Sequence, residues 1–238
     1  MSKLNFMMLV TLGITAIDSA YAAIALDRTR VIYEGGNKAI SVNISNENKQ
    51  LPYLAQAWIE DSEQRKVTGP LIVTPPVQRV EPGAKSMVRI SAMPAASALP
   101  QDRETLFYFN LREIPPRSDK PNVMQIALQT KVKLFYRPAA IVAKPGAVWQ
   151  DQLVLHKTTG GYRIENPTPY YITVVGIAAQ AKGNENKDFK PLLLAPKSSS
   201  TVTVPVTDAP QVTYINDYGG RPTLKFSCVQ QRCSAAQG

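Results

Sequence analysis

The sequence predicts an all-β protein made of two β-sandwich domains, and three observations carry that prediction. Apolar and polar residues alternate along short runs, as they must where a strand buries one face and wets the other. Proline- and glycine-bearing turns separate these runs, a spacing that suits sandwich strands better than strands alternating with helices. Nothing longer than a turn combines helical periodicity with a cap at each end.

The N-terminus stands apart from this pattern. Met1–Asn5 holds one lysine, Phe6–Ile17 is almost wholly apolar, and Ala20-Tyr21-Ala22 has the small-x-small form of a cleavage site. That order predicts a secretory signal peptide over residues 1–22, too short in its apolar part to span a membrane, and a mature chain from Ala23. No later stretch is apolar enough to cross a bilayer, so an exported, soluble product is expected. The net charge is +9, and losing Lys3 and Asp18 with the signal leaves it unchanged. The basic residues are scattered in runs no longer than two. This favours acidic partners only weakly.

The runs then follow in order. Ala39–Ile44 reads as a strand closing on the polar turn Ser45-Asn46-Glu47-Asn48, and Tyr53–Ile59 as the next. Thr74-Pro75-Pro76 must leave a ladder, because proline has no N–H to give it. Glu81-Pro82-Gly83-Ala84 has proline and glycine where a type II turn favours them. Met87, Arg89 and Ser91 alternate with Val88, Ile90 and Ala92, and aromatic-rich Leu106–Leu111 is stopped by Pro115-Pro116.

The stretch Asn122–Pro138 reads as one long strand. Met124, Ile126 and Leu128 alternate with Gln125, Ala127 and Gln129, and Lys131 and Lys133 precede a second apolar group, Leu134, Phe135 and Tyr136. Strands usually run about 5–6 residues, so this one outruns a small domain and its far end needs another neighbour. Ala139–Gly146 then reads as a connector, giving domains over 23–142 and 143–238. In the second, Tyr162–Glu165, Tyr170–Ile177, Thr201–Val206 and Leu224–Val229 read as strands, with Asn166-Pro167-Thr168-Pro169 as a turn.

Cys228 and Cys233 are an even pair in an exported chain, so a disulfide is the default, closing a small ring that contributes roughly 2 kcal/mol in the chain-entropy model. A metal or redox pair is the alternative. It is disfavoured because His156 is the only histidine and zinc sites want three or four ligands. No cofactor is expected.

Catalytic signals are missing. There is no G-x-S-x-G and no G-x-x-x-x-G-K-[ST], and His156 sits in an apolar strand before the Thr158–Gly161 turn, where a structural role is expected. Glu60, Asp61 and Glu63 read as a solvated acidic turn. Paired acids of the glycosidase kind leave a secreted carbohydrate-binding or glycosidase-like sandwich as the alternative function. Trp58 and Trp149 lie too far apart in sequence to favour a sugar platform. Nucleic-acid binding is not expected, for want of basic residues interleaved with aromatics.

The long strand, with Leu106-Phe107-Tyr108-Phe109-Asn110-Leu111-Arg112-Glu113-Ile114-Pro115-Pro116 before it, resembles the signature of the periplasmic pilus-assembly chaperones. The likeness extends to Leu26-Asp27-Arg28-Thr29-Arg30, to Leu51–Trp58, to Pro75-Pro76-Val77-Gln78-Arg79 and to Tyr214-Ile215-Asn216-Asp217-Tyr218-Gly219-Gly220, and so covers the mature chain. The resemblance implies two immunoglobulin-like sandwiches set as an L or boomerang with a cleft between them.

It further implies a non-enzymatic chaperone that lends its long edge strand to pilus subunits lacking one, caps them by donor-strand complementation, and delivers them to an outer-membrane usher. The partners implied are pilins and an adhesin, together with the usher. Self-association of the free protein is expected because an exposed apolar edge is costly. By the same resemblance Met124, Ile126 and Leu128 are the donor row, and Arg30 and Lys133 anchor the pilin's C-terminal carboxylate. Glu104, Arg137 and Asp217 form ion pairs between the domains, and Lys131 supports the anchor. The short turn Pro115–Pro121 resembles the short-loop branch that serves rod-like pili. A pilin or adhesin is disfavoured, since the chain supplies two complete sandwiches and a surplus strand. Simple alternation places Lys133 on the face opposite the donor row, so a bulge, strong twist or lateral reach is expected there.

Overall fold

The structure is a computed structural model that describes residues 22–179 and 189–236. All but Ala22 of the expected signal peptide lies outside the described residues. Among these residues the only helices are short 3-10 turns, and no helix is long and apolar enough to cross a membrane.

The first ten strands build one sandwich: β1 (Ile24–Leu26), β2 (Arg30–Glu34), β3 (Ala39–Asn46), β4 (Tyr53–Glu60), β5 (Lys66–Val67), β6 (Leu71–Thr74), β7 (Val77–Val80), β8 (Lys85–Ala92), β9 (Thr105–Ile114) and β10 (Gln129–Arg137). One sheet has the order β1-β3-β8-β6. The other runs β2-β10-β9-β4-β5, with β7 also against β4. Alternate residues meet between the sheets: Val31 and Tyr33, Val42 and Ile44, Ala55, Ala57 and Ile59, Val88 and Ile90, Phe107, Phe109 and Leu111, Leu134 and Tyr136. Each strand thus buries every second side chain, and that sets its register.

The second sandwich holds β11 (Val154–Thr158), β12 (Gly161–Asn166), β13 (Ile172–Ala178), β14 (Leu192–Leu194), β15 (Ser198–Thr203), β16 (Gln211–Ile215), β17 (Thr223–Val229) and β18 (Arg232–Ala235). The order is β14-β13-β16-β17-β18-β11-β12-β15. Strand β17 bridges the layers, its first half on β16 and its second on β18. Its core gathers Leu155, Tyr162, Ile164, Val174, Val212 and Phe226. Cys228 and Cys233 pair across the β17–β18 hairpin and are disulfide-bonded.

Several expectations change. The stretch Asn122–Pro138 is not one strand: β10 begins at Gln129, and residues 122–128 join no ladder. Alternation specifies an apolar face, but a ladder also needs a neighbour's N–H and C=O groups, and Pro115 and Pro116 supply no donor beyond β9. The last link is Glu113 N–H to Leu128 O, 3.0 Å. No bulge is needed for Lys133: the pairing of β10 with β9 runs unbroken from Gln129 to Tyr136. Glu60 is not part of a solvated turn but is 8 % exposed, held by Lys131 and Trp58. Asp61 and Glu63 remain on the surface with Arg65.

The chain changes sheet between β1 and β2, a crossing that leaves no mark in the alternation pattern. β1 pairs antiparallel with β3 in one sheet, and after Asp27–Thr29 the chain crosses to pair β2 parallel with β10 in the other. This crossing positions the site.

Candidate binding cleft

Arg30 opens β2 and lies directly across from Lys133 of β10 in the parallel register. The odd-numbered residues of β10 face away from the sandwich core, so Lys131, Lys133, Phe135 and Arg137 share one surface while Val132, Leu134 and Tyr136 turn inward. Met124, Ile126 and Leu128 have the inward parity. Were β10 to continue through residues 122–128, the apolar row would fall on the side opposite Lys133; among the described residues that segment is unpaired and has no fixed face.

Arg30 is 9 % exposed, and among the described residues its guanidinium makes one hydrogen bond, from Nη1 to the Ile215 carbonyl of the second domain, 3.3 Å. Its Nε is buried with no acceptor among the described residues. Neither Arg30 nor Lys133 has an ion-pair partner among them. Burial, and then the nearby Arg30 charge, hold the Lys133 ammonium below its usual range. Burial lowers Arg30 too, against the opposing pull of Asp217 and Glu104. Two partly desolvated cations side by side, one with an orphaned donor, have the chemistry to hold an anion, and a guanidinium fork matches a carboxylate.

The row Met124, Ile126 and Leu128 is strongly exposed, at 87 %, 67 % and 41 %. Edge geometry explains what it could meet. β2 takes up its place beside β10 only at Lys133, since the preceding residues belong to the other sheet, so Gln129–Val132 pair with β9 alone. Among the described residues, one edge of β10 is open from its start to the Arg30–Lys133 pair.

Arg137, at the end of β10, joins the domains. Its Nε donates to Glu104 Oε1 at 2.8 Å, and its two Nη atoms reach the Asp217 carboxylate at 2.9 and 3.3 Å. The sequence-chosen trio thus comes together. Burial pushes Glu104 up to about 7, and Arg137 and the Tyr171 N–H act against that rise. Sequence reasoning missed the aromatic part of this joint. Arg137 lies 4.9 Å from the centroids of both Trp149 and Tyr170, Phe135 packs on Tyr171, and Tyr170 donates to the Ile141 carbonyl in the connector. No local pattern announces such a clamp, because its parts come from four separate segments. Lys131 binds Glu60 at 2.7 Å and faces the Tyr108 ring, which places it in a neighbouring network and not on the Arg30–Lys133 pair. His156 bonds Glu165 on the surface of the second domain. Trp149 is buried and Trp58 lies under Arg112, so neither offers a free sugar platform.

Two sandwiches with a cationic pair at their junction and an unpaired edge leading to it define the class. The chain belongs to the pilus-assembly chaperone family: residues 23–142 match the pili and flagellar-assembly chaperone, PapD N-terminal domain, and residues 148–226 the pili assembly chaperone PapD, C-terminal domain. Among particular relatives, it is 60 % identical over 228 residues to the chaperone protein PapD of Escherichia coli, covering 95 % of each chain. It is 43 % identical to the chaperone protein PmfD of Proteus mirabilis, covering 94 % of this chain and 91 % of that one. Among solved structures it resembles the periplasmic chaperone SfaE (30 % identity, TM-score 0.68, 85 % of this chain and 98 % of that one). It also resembles a chain of the Salmonella enterica SafA pilin–SafB chaperone complex (25 % identity, TM-score 0.74, 88 % and 98 %).

Proposed function

We propose that this protein is a periplasmic, non-enzymatic chaperone of pilus assembly that binds subunits by lending them residues 122–132 as a strand, then passes them to an outer-membrane usher. The observation that carries this reading is the open edge of β10 ending at the Arg30–Lys133 pair. A strand added to that edge would lie end to end with β2, in the sheet position that β2 occupies farther on. Of the two directions open to it, only the one parallel to β10, which β2 also takes, would bring its C-terminal carboxylate to Arg30 and Lys133. Register and direction are then fixed by one charged contact.

The donor row follows from the same geometry. Met124, Ile126 and Leu128 have the parity of Leu134 and Tyr136, so in a bound partner they would continue the core of the first domain into the partner's groove. Burying each contributes up to roughly 1.5–3 kcal/mol before association entropy is subtracted. The domains over 23–142 and 143–238 each supply part of the cleft, with the Glu104–Arg137–Asp217 cluster fixing their angle. Export after removal of residues 1–22 brings the protein to the compartment where pilins fold. Pilins and the adhesin are the partners, and the same open edge makes self-association of the free protein expected.

The test is a periplasmic co-expression pull-down of tagged protein with candidate pilins. Wild type should retain soluble pilin, while folded Arg30→Ala and Lys133→Ala variants should lose at least about tenfold of it, the loss of a charge-assisted contact. Equal retention by all three would remove the carboxylate anchor. No retention by wild type would remove the chaperone reading and favour the carbohydrate one.

A further inference from the structure

We infer that the Ile215–Gly220 turn of the second domain is a positioning element for Arg30, with Gly219 as the residue that lets it reach; the inference rests on the carboxylate-anchor reading above. Arg30 is oriented by an acceptor that its own domain does not supply, the Ile215 carbonyl. With one Nη1 N–H engaged there, the guanidinium keeps its other Nη1 N–H and both Nη2 N–H groups, besides Nε, which is buried and without an acceptor among the described residues. The second domain thus sets which donors of Arg30 remain for a ligand.

The turn that delivers this carbonyl is fixed from three directions. Asn216 closes it internally, its Oδ1 accepting from Tyr218 N and Gly220 N at 3.1 and 2.8 Å, while its own N–H donates to the Gly220 carbonyl at 3.0 Å. Asp217 ties it to Arg137 of β10. On the third side it lies against Thr29, the residue before Arg30. Gly219 has φ +83°, and a Cβ there would come within 2.5 Å of Thr29 Oγ1. A side chain at 219 would be strained by its own backbone and would also press on the segment that carries Arg30. Close approach of turn and strand is therefore available only to glycine. Gly219 touches no ligand in this account; it acts through Arg30.

The experiment uses the mature protein and a synthetic peptide copying the C-terminal strand of a pilin from the Escherichia coli PapD system. The peptide is prepared with a free α-carboxylate and as the C-terminal amide. Wild type should prefer the free acid. Gly219→Ala should reduce that preference by about tenfold, the size of a misplaced charge-assisted hydrogen bond, and should leave the weaker binding of the amide unchanged. Adding Thr29→Ala, which removes the colliding oxygen, should restore part of the preference, the backbone strain at 219 remaining, with Thr29→Ala alone as the control. Thr29→Ile presses on the turn without altering the Gly219 backbone and should act in the same direction, so the test stands even where Gly219→Ala folds poorly. Full acid preference in both Gly219→Ala and Thr29→Ile overturns the inference, as does an equal loss for acid and amide, which would mean that the cleft had simply opened. A wild type that does not distinguish acid from amide refutes the anchor itself, a separate failure.

Discussion

Single buried polar groups decide much of this molecule. In each sandwich one asparagine at the end of a strand is fully buried and ties down the following turn. Asn46 donates to the Leu51 and Val80 carbonyls, and Asn166 to those of Tyr170 and Ala195. Both are satisfied, as buried amides must be. Glu104 is a more costly case, because it and Asp217 share the single guanidinium of Arg137 inside the joint. Its folded-state pKa of about 7 lies above the ordinary 4.5. Between those values the folded protein holds a proton that the unfolded chain releases, so this group makes stability rise as pH falls from 7 toward 4.5, and adds nothing further below that. Comparing thermal unfolding at pH 7.5 and pH 5, wild type should gain on the order of 1–3 kcal/mol more than Glu104→Gln. Equal gains would show that the carboxylate is already ionised in the folded joint throughout.

At the scale of elements, the strands were legible because burial of every second residue leaves its mark in sequence: β3, β4, β8, β9 and β12 lie close to where alternation put them. The crossing of β1 to β2 left no such mark, since one short segment divides its pairing between two sheets. Met124–Leu128 shows what alternation does and does not contain. The alternation is present in the sequence, but among the described residues the ladder that would make it a strand is absent, and Gln125 and Ala127 are exposed along with the apolar row. Nor could alternation reveal that Arg30 meets Lys133. That pairing is a matter of long-range register, and only family likeness suggested it; the Ile215 carbonyl and the Trp149–Tyr170 clamp had no sequence signal at all. Because Ile126 is exposed, Ile126→Asp should change the stability of the free protein by no more than about 0.5 kcal/mol. It should reduce pilin capture at least about tenfold, since a carboxylate would enter an apolar slot. A large fall in melting temperature would mean that Ile126 serves this protein's own core.

At the scale of the whole molecule, the two domains divide the work. The first carries the open edge and both cations, and the second supplies the Ile215 carbonyl that holds Arg30 and the Asp217 carboxylate that holds Arg137. An unpaired apolar edge is an aggregation template, and here it lies beside the cleft where a partner's terminus would be held. On the proposed function, residues 122–132 become a paired strand on a subunit. Hydrogen exchange of those backbone amides, in the free protein and in its pilin complex, tests it most directly. Residues 123–128 should exchange rapidly when free, and alternate amides across 123–132 should be strongly protected when bound. A stable complex in which those amides exchange as fast as before would contradict it.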